Sequence, residues 1–441
     1  MIDNEGLKRE IGIWGLISNS VNITIGAGIF ILPAIVAERL GGGAIWAYLI
    51  CGLLMIMIML CFAQVGTRIT ITGGAYTYIE TAFGRFAGFI TANIFIFGAA
   101  VMANAAVANG LADTLAYFLP FFKLKVLRIL FFALMFGSLA FFNVRGLRQA
   151  INIVKFNTIV KLIPLLLIAF FGWFFIKPSG ITITADNSIS DIGEMSLILL
   201  FAFVGAETAL NVSGEIKNPA RTIPRGIMLS VLIVAVIYIL IQLTVQGILG
   251  ESITQFREAP LAETARRMAG PAGAIIVITG ASFSMFGNIS GMVLNMPRIL
   301  YAASRDRVIV PAQLAKIHPE FLTPHVSIIT YSCLGFLFAS IGEFKQLAML
   351  SSASYLVIYL GVILAGVKFR IRGGGDSGVL RIPGGYIIPV FSALAILWVL
   401  SNLPVKELKG MVFFIIILVI VFLIIETVKR YNSGSKFQSD R

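Results

Sequence analysis

The chain has 441 residues, of which 58% are apolar and only 12% charged, with a formal net charge of +13. A soluble domain is nearer half apolar and a quarter charged, so the charge here is too sparse to clothe a soluble core, and the missing solvent is lipid. The basic residues sit mostly in short loops between apolar runs, which is a pattern of membrane topology and not of a nucleic-acid surface.

A spanning helix needs about 20 mostly apolar residues. Twelve runs meet that need, at approximately 12–38, 43–66, 86–118, 126–143, 150–176, 192–213, 226–249, 271–300, 325–342, 345–367, 385–403 and 410–428. The weakest is 385–403, where Pro383 and Pro389 disturb the start. The expected class is an all-α membrane protein with twelve transmembrane helices, a short polar N-terminus (1–11) and a basic tail (429–441). The N-terminus lacks the small-residue cleavage site of a secretory signal, so the first run reads as a mature span. Placing both termini in the cytoplasm puts roughly twice as many Lys and Arg residues on cytoplasmic as on outside segments, which favours that orientation and the plasma membrane. Three connections, 67–85, 214–225 and 301–325, are too long for tight turns and are expected to hold short surface helices. Cys51, Cys61 and Cys333 lie in apolar runs as small apolar side chains, and His318 and His325 share a loop, so neither type is read as a metal ligand.

The first span carries Gly26-Ala27-Gly28-Ile29-Phe30 near its middle. Two glycines at this spacing weaken a helix and let backbone approach a ligand, although in isolation close helix packing explains them better. The sixth span adds Phe201-Ala202-Phe203-Val204-Gly205-Ala206-Glu207, a glycine beside an acid within an apolar run. A carboxylate at membrane depth is expensive and marks a functional site by default. Interrupted helices at the heads of two five-helix halves point to a transporter binding site. A break in the first span frees amides around Ala27, Gly28 and Ile29 for a carboxylate. A break in the sixth frees carbonyls around Phe201 and Val204 which, with Thr24, can accept an ammonium group.

With these pieces, and with Gly73-Gly74-Ala75-Tyr76, Lys217-Asn218-Pro219, Ile223-Pro224-Arg225, Arg298-Ile299-Leu300-Tyr301 and Arg305-Asp306 following in order, the chain resembles the amino acid–polyamine–organocation (APC) transporter superfamily. The resemblance implies a LeuT-like five-plus-five inverted repeat, the first over 12–176 and the second over 192–367, with peripheral helices over 385–428. It also implies site roles: Gly26, Ala27 and Gly28 for the substrate carboxylate, Thr24, Phe201, Val204 and Gly205 for its amine, and Phe201 as the occluding aromatic. Asn104 matches a pocket-facing position, and Phe203 and Met285 give an apolar surround. Many family members have serine where Ala27 stands, which removes a hydroxyl and keeps the backbone site.

Lys161 lies about nine residues into the fifth span, roughly 14 Å deep, too far for its side chain to reach the surface. Sodium-coupled relatives of this fold hold a cation between the first, fifth and eighth spans, and the chain is similar to a lysine-bearing branch without sodium. The expectation is that Lys161, beside Ser284 of the eighth span, takes the cation's place and braces the first span, and that it could exchange a proton. Ser282, Asn288, Ser351 and Ser352 are weaker candidates that more simply bond neighbouring helices.

Glu207 is the one acid read as buried among the central spans, too little counter-charge for a polycation. The expected activity is sodium-independent secondary transport of neutral L-amino acids, by proton symport or exchange, across the lipid bilayer. A cationic amino acid or polyamine antiporter is the alternative, and an ion channel a further one that would need a symmetric charged pore. Apart from His325 at the very start of the ninth run, no span holds a histidine, none holds a clustered nucleophile and base, and no P-loop occurs, so neither an enzyme nor an ATP-driven pump is expected. No metal or cofactor is expected.

Overall fold

A computed structural model describes residues 11–69, 74–145, 150–177, 187–207, 210, 216–305, 311–372 and 384–439, with 150–160 and 428–439 described in backbone only. Among them the fold is all-helical, with a single isolated bridge between Ile11 and Ile216. The first span is α1 (Ile13–Thr24) and α2 (Gly28–Leu40), which are separate helices. The second is α3 (Ala44–Arg68), followed by the short α4 (Gly74–Phe83). The third joins α5 (Arg85–Asn93), a π-helical stretch (Ile94–Ala100) and α6 (Val101–Ala116). Next come α7 (Lys125–Val144), α8 (Ala150–Phe171), α9 (Ile189–Phe203) and α10 (Pro219–Leu249). The chain ends with α11 (Pro260–Arg305), α12 (His325–Ile341), α13 (Phe344–Arg372), α14 (Ile387–Ser401) and α15 (Val405–Ser439). The face bearing Ile11 is called near, and the face reached at Leu40 far.

Among the described residues, seven helical stretches are long and apolar enough to cross a membrane, and three shorter apolar segments accompany them, one being Lys161–Phe175, which includes the part of α8 described with its side chains. Part of the difference between twelve expected runs and seven has a physical reason. The Gly41–Gly43 turn is itself helical and joins α2 and α3 into one stretch. Conversely α1 and α9, at 12 and 15 residues, stop short of the bilayer's thickness.

Helix α11 is interrupted at Ala269 and Gly270, whose backbone is non-helical, so a short helix from Pro260 ends there and the eighth span starts at Pro271, where the expected 271–300 begins, and runs on to Arg305. Of the three connections expected to hold surface helices, the first holds α4. The second runs straight into α10, because Pro219 is at home in the first turn of a longer helix. The third has a 3-10 turn at Ala312–Ala315 among its described residues.

The packing centre is α2, buried along nearly its whole circumference and resting on α9. Helix α10 covers α1 and α3, and α11 packs on both α6 and α8. At the other extreme, α15 leaves Val412, Phe413, Ile416, Ile420, Leu423 and Ile424 exposed. A water-facing patch of that size would be a liability, whereas lipid is its natural solvent. Trp14, Trp46 and Trp173 are exposed as well, as interface anchors should be.

Candidate functional site

Helix α1 stops at Thr24, and the Ile25 amide makes the last helical bond, to Val21 O at 3.0 Å. The chain re-enters helix at Gly28, with Phe30 N donating to Ala27 O at 3.1 Å. The amides that open α2 have no preceding turn to serve, as at every helix start. In the sixth span α9 ends at Phe203, and Gly205 adopts φ +125°, a conformation open to glycine and strained for other residues. In a continuous helix the Gly205 amide would donate to Phe201 O. Here it donates to Glu207 Oε2 at 3.0 Å instead.

The two breaks face each other. A Cβ on Gly28 would lie 2.7 Å from Ala202 Cβ, and a Cβ on Gly205 would lie 3.0 Å from the Ile23 side chain. Each glycine is therefore wedged against the other broken span. Close packing, one of the two readings of these glycines, is what the contacts show at both positions. Gly26 faces Asn288, whose Nδ2 lies 3.7 Å from where a Cβ would stand.

The freed carbonyls of α1 have identifiable partners. Lys161 Nζ donates to Asn22 O at 2.5 Å and to Ile25 O at 2.8 Å, so the ammonium sits on the broken end of α1 and does not reach for the surface. Tyr238 of α10 is fully buried, and its hydroxyl lies 2.9 Å from Ala202 O and 3.3 Å from Thr24 O. It has one proton to give and addresses a carbonyl of each broken span. Ser20 Oγ reaches Ala206 O at 3.5 Å, and Thr24 Oγ1 folds back onto Ser20 O at 2.8 Å. Tyr238 was missed in the sequence reading. Its one signal is a phenol in the middle of the apolar α10, since a buried tyrosine hydroxyl needs a partner.

Among the described residues, Asn288 Oδ1 beside Gly26 and Glu207 Oε1 beside Gly205 have no protein hydrogen bond, and the same holds for both amide atoms of Asn104, Ser284 Oγ and Ser282 Oγ on the third and eighth spans. Asn104 lies beside Tyr331, whose hydroxyl bonds Ala100 O at 3.2 Å. The Tyr359 hydroxyl is near Glu207 but outside hydrogen-bond geometry. Ser351, by contrast, is satisfied by Ala99 O at 3.1 Å, as a helix-to-helix bond. Phe201 meets Phe344 edge to face at 5.7 Å, whereas Phe203 packs at 5.1 Å on Tyr238, and Met285 is buried against Thr114. Among the described residues no group of three His, Cys, Asp or Glu side chains could hold a metal.

Broken helices that meet at mid-span, with main-chain groups released towards each other, define a membrane transporter and not an enzyme. A family model described as amino acid permease matches residues 11–425, and the chain belongs to that family, within the APC superfamily. It is 30% identical over 417 residues to the serine/threonine exchanger SteT of Bacillus subtilis, covering 92% of this chain and 93% of that one. It is 24% identical to the branched-chain amino acid permease BcaP of the same organism, covering 95% and 93%. The identity to that organism's methylthioribose transporter is also 24%, covering 91% and 90%.

Proposed function

We propose that this protein is a sodium-independent secondary transporter of neutral L-amino acids, working by substrate exchange or proton symport. The fold that goes with this reading is a twelve-span, five-plus-five inverted repeat in the plasma membrane, with both termini cytoplasmic. The observation that carries it is the position of Lys161. Its Nζ donates to the carbonyl oxygens of Asn22 and Ile25, which supports the reading that Lys161 takes the place of a bound monovalent cation in bracing the broken span. The substrate carboxylate is assigned to the amides from Ala27 to Ile29. Its ammonium is assigned to the carbonyls of Thr24, Phe201 and Val204, with Phe201 closing over it.

Among neutral side chains, the orphaned atoms of Asn104, Ser284 and Asn288 favour a small hydroxylated one, in keeping with the name of the exchanger SteT. A site built to hydrogen-bond a hydroxyl rejects an analogue that lacks it, because its own polar atoms are then left unpaired. The test is uptake of labelled L-serine and L-leucine by the purified protein in liposomes, with internal amino acid, without it, and with a proton gradient. Uptake that needs internal substrate assigns exchange. Uptake driven by the proton gradient alone assigns symport. Absence of any amino acid uptake contradicts the proposal.

A further inference from the structure

A cavity of about 910 Å³ opens on the far face, with Ile31 and Phe344, the ring that meets Phe201, among its lining residues. Most of the charged residues on its wall are neutralised by one another. Arg128 pairs with Asp113 at 2.6 Å, Lys123 with Glu258 at 3.0 Å, Lys345 with Glu194 at 3.1 Å, and Arg257 with Glu38. Arg39 is taken by Asp191 at 2.6 Å. Two charged lining residues have no ion-pair partner among the described residues, Lys125 at the start of α7 and Glu343 just before α13. Both are exposed, and Glu343 lies within electrostatic reach of Asp113.

The cavity thus combines a self-neutralised wall with one uncommitted cation and one uncommitted anion. That is the charge pattern complementary to a zwitterion. A net-charged α-amino acid carries the same ammonium and carboxylate plus a third charge, which one of the two free residues repels and which has no further partner on the wall. We propose that this vestibule is a second, outer binding station for net-neutral α-amino acids, Lys125 serving the carboxylate and Glu343 the ammonium. The station rests on the transport reading above and adds to it a place and a charge rule for substrate loading. Exposed charges attract weakly in water and are screened by salt, so the station acts on capture and leaves the translocation step unchanged.

The experiment uses the full chain in liposomes at low ionic strength. The labelled probe is whichever of L-serine and L-leucine the wild type carries faster, with L-glutamate and L-arginine as competitors. Glu343→Gln and Lys125→Gln should each raise KM about two- to threefold, the weight of one solvated charge several ångströms away, with kcat unchanged. Glu343→Gln should become more sensitive to glutamate and Lys125→Gln to arginine, and both differences should collapse in high salt. The double exchange Lys125→Glu with Glu343→Lys, which keeps the charge balance, should recover most of the KM lost by either single variant. Unchanged KM and competitor profiles in the single variants, with wild-type uptake intact, overturn the vestibular station alone. So does a fall in kcat at constant KM. Failure of the wild type to carry either amino acid overturns the functional reading, and the station with it.

Discussion

Lys161 Nζ lies 2.8 Å from the carbonyl oxygen of Ile25, the first residue beyond α1. With its second bond to Asn22 O, the side chain spans the end of that helix and ties α8 to the break. A broken helix leaves its last carbonyls without intrahelical donors, and leaving such groups buried and unpaired costs about 1–3 kcal/mol each.

Replacing Lys161 by Met keeps the length and removes the donor. Substrate transport should fall at least tenfold, because both carbonyls lose their partner and the broken end of α1 is no longer held. The check is initial uptake rate at several pH values, with monodispersity of the purified variant as the control for folding. Wild-type rate and wild-type pH dependence in Lys161→Met would remove this residue from the mechanism.

Tyr238→Phe deletes a single hydroxyl from between the two breaks and keeps the ring that packs on Phe203. One neutral hydrogen bond contributes about 1 kcal/mol, so substrate affinity should weaken about fivefold with the fold intact. Protection of the purified protein against heating by substrate measures this directly.

Gly28→Ala should destabilise the protein by about 1–3 kcal/mol, since the new methyl overlaps the Ala202 methyl. Ala202→Gly in the same chain removes the methyl but leaves the residue-202 Cα 2.8 Å from the new Cβ, so it should restore only part of the loss. Thermal unfolding of the two single variants and the double variant closes that cycle, and simple additivity would contradict the contact.

Asn104→Leu tests the substrate side chain. It removes two buried polar atoms that have no protein partner, so competition by L-serine should weaken and competition by L-leucine should hold or improve. An equal loss for both amino acids would assign Asn104 to packing.

The breaks were readable from the chain because helix weakening is local. Gly26-Ala27-Gly28 and Gly205 announce it, and the helices do stop at Thr24 and Phe203. The depth of Lys161 was readable for a similar reason, since counting residues along a helix measures distance. What stayed hidden is contact between distant segments. Nothing near Gly28 in sequence indicates Ala202 as its neighbour, and nothing near Tyr238 indicates Thr24. A tyrosine in a span reads equally well as an interface anchor or as a buried donor. The ion pairs around the far-face cavity were hidden too, because loop charges read as topology signals before their partners are known.

The most direct test of the account is the initial rate of neutral amino acid uptake into liposomes with external sodium replaced by choline. If the Lys161 ammonium stands in for a coupling cation, the wild-type rate is the same in both salts and Lys161→Met is at least tenfold slower in both. A wild-type rate that collapses without sodium, or a Lys161→Met variant that transports normally, contradicts it.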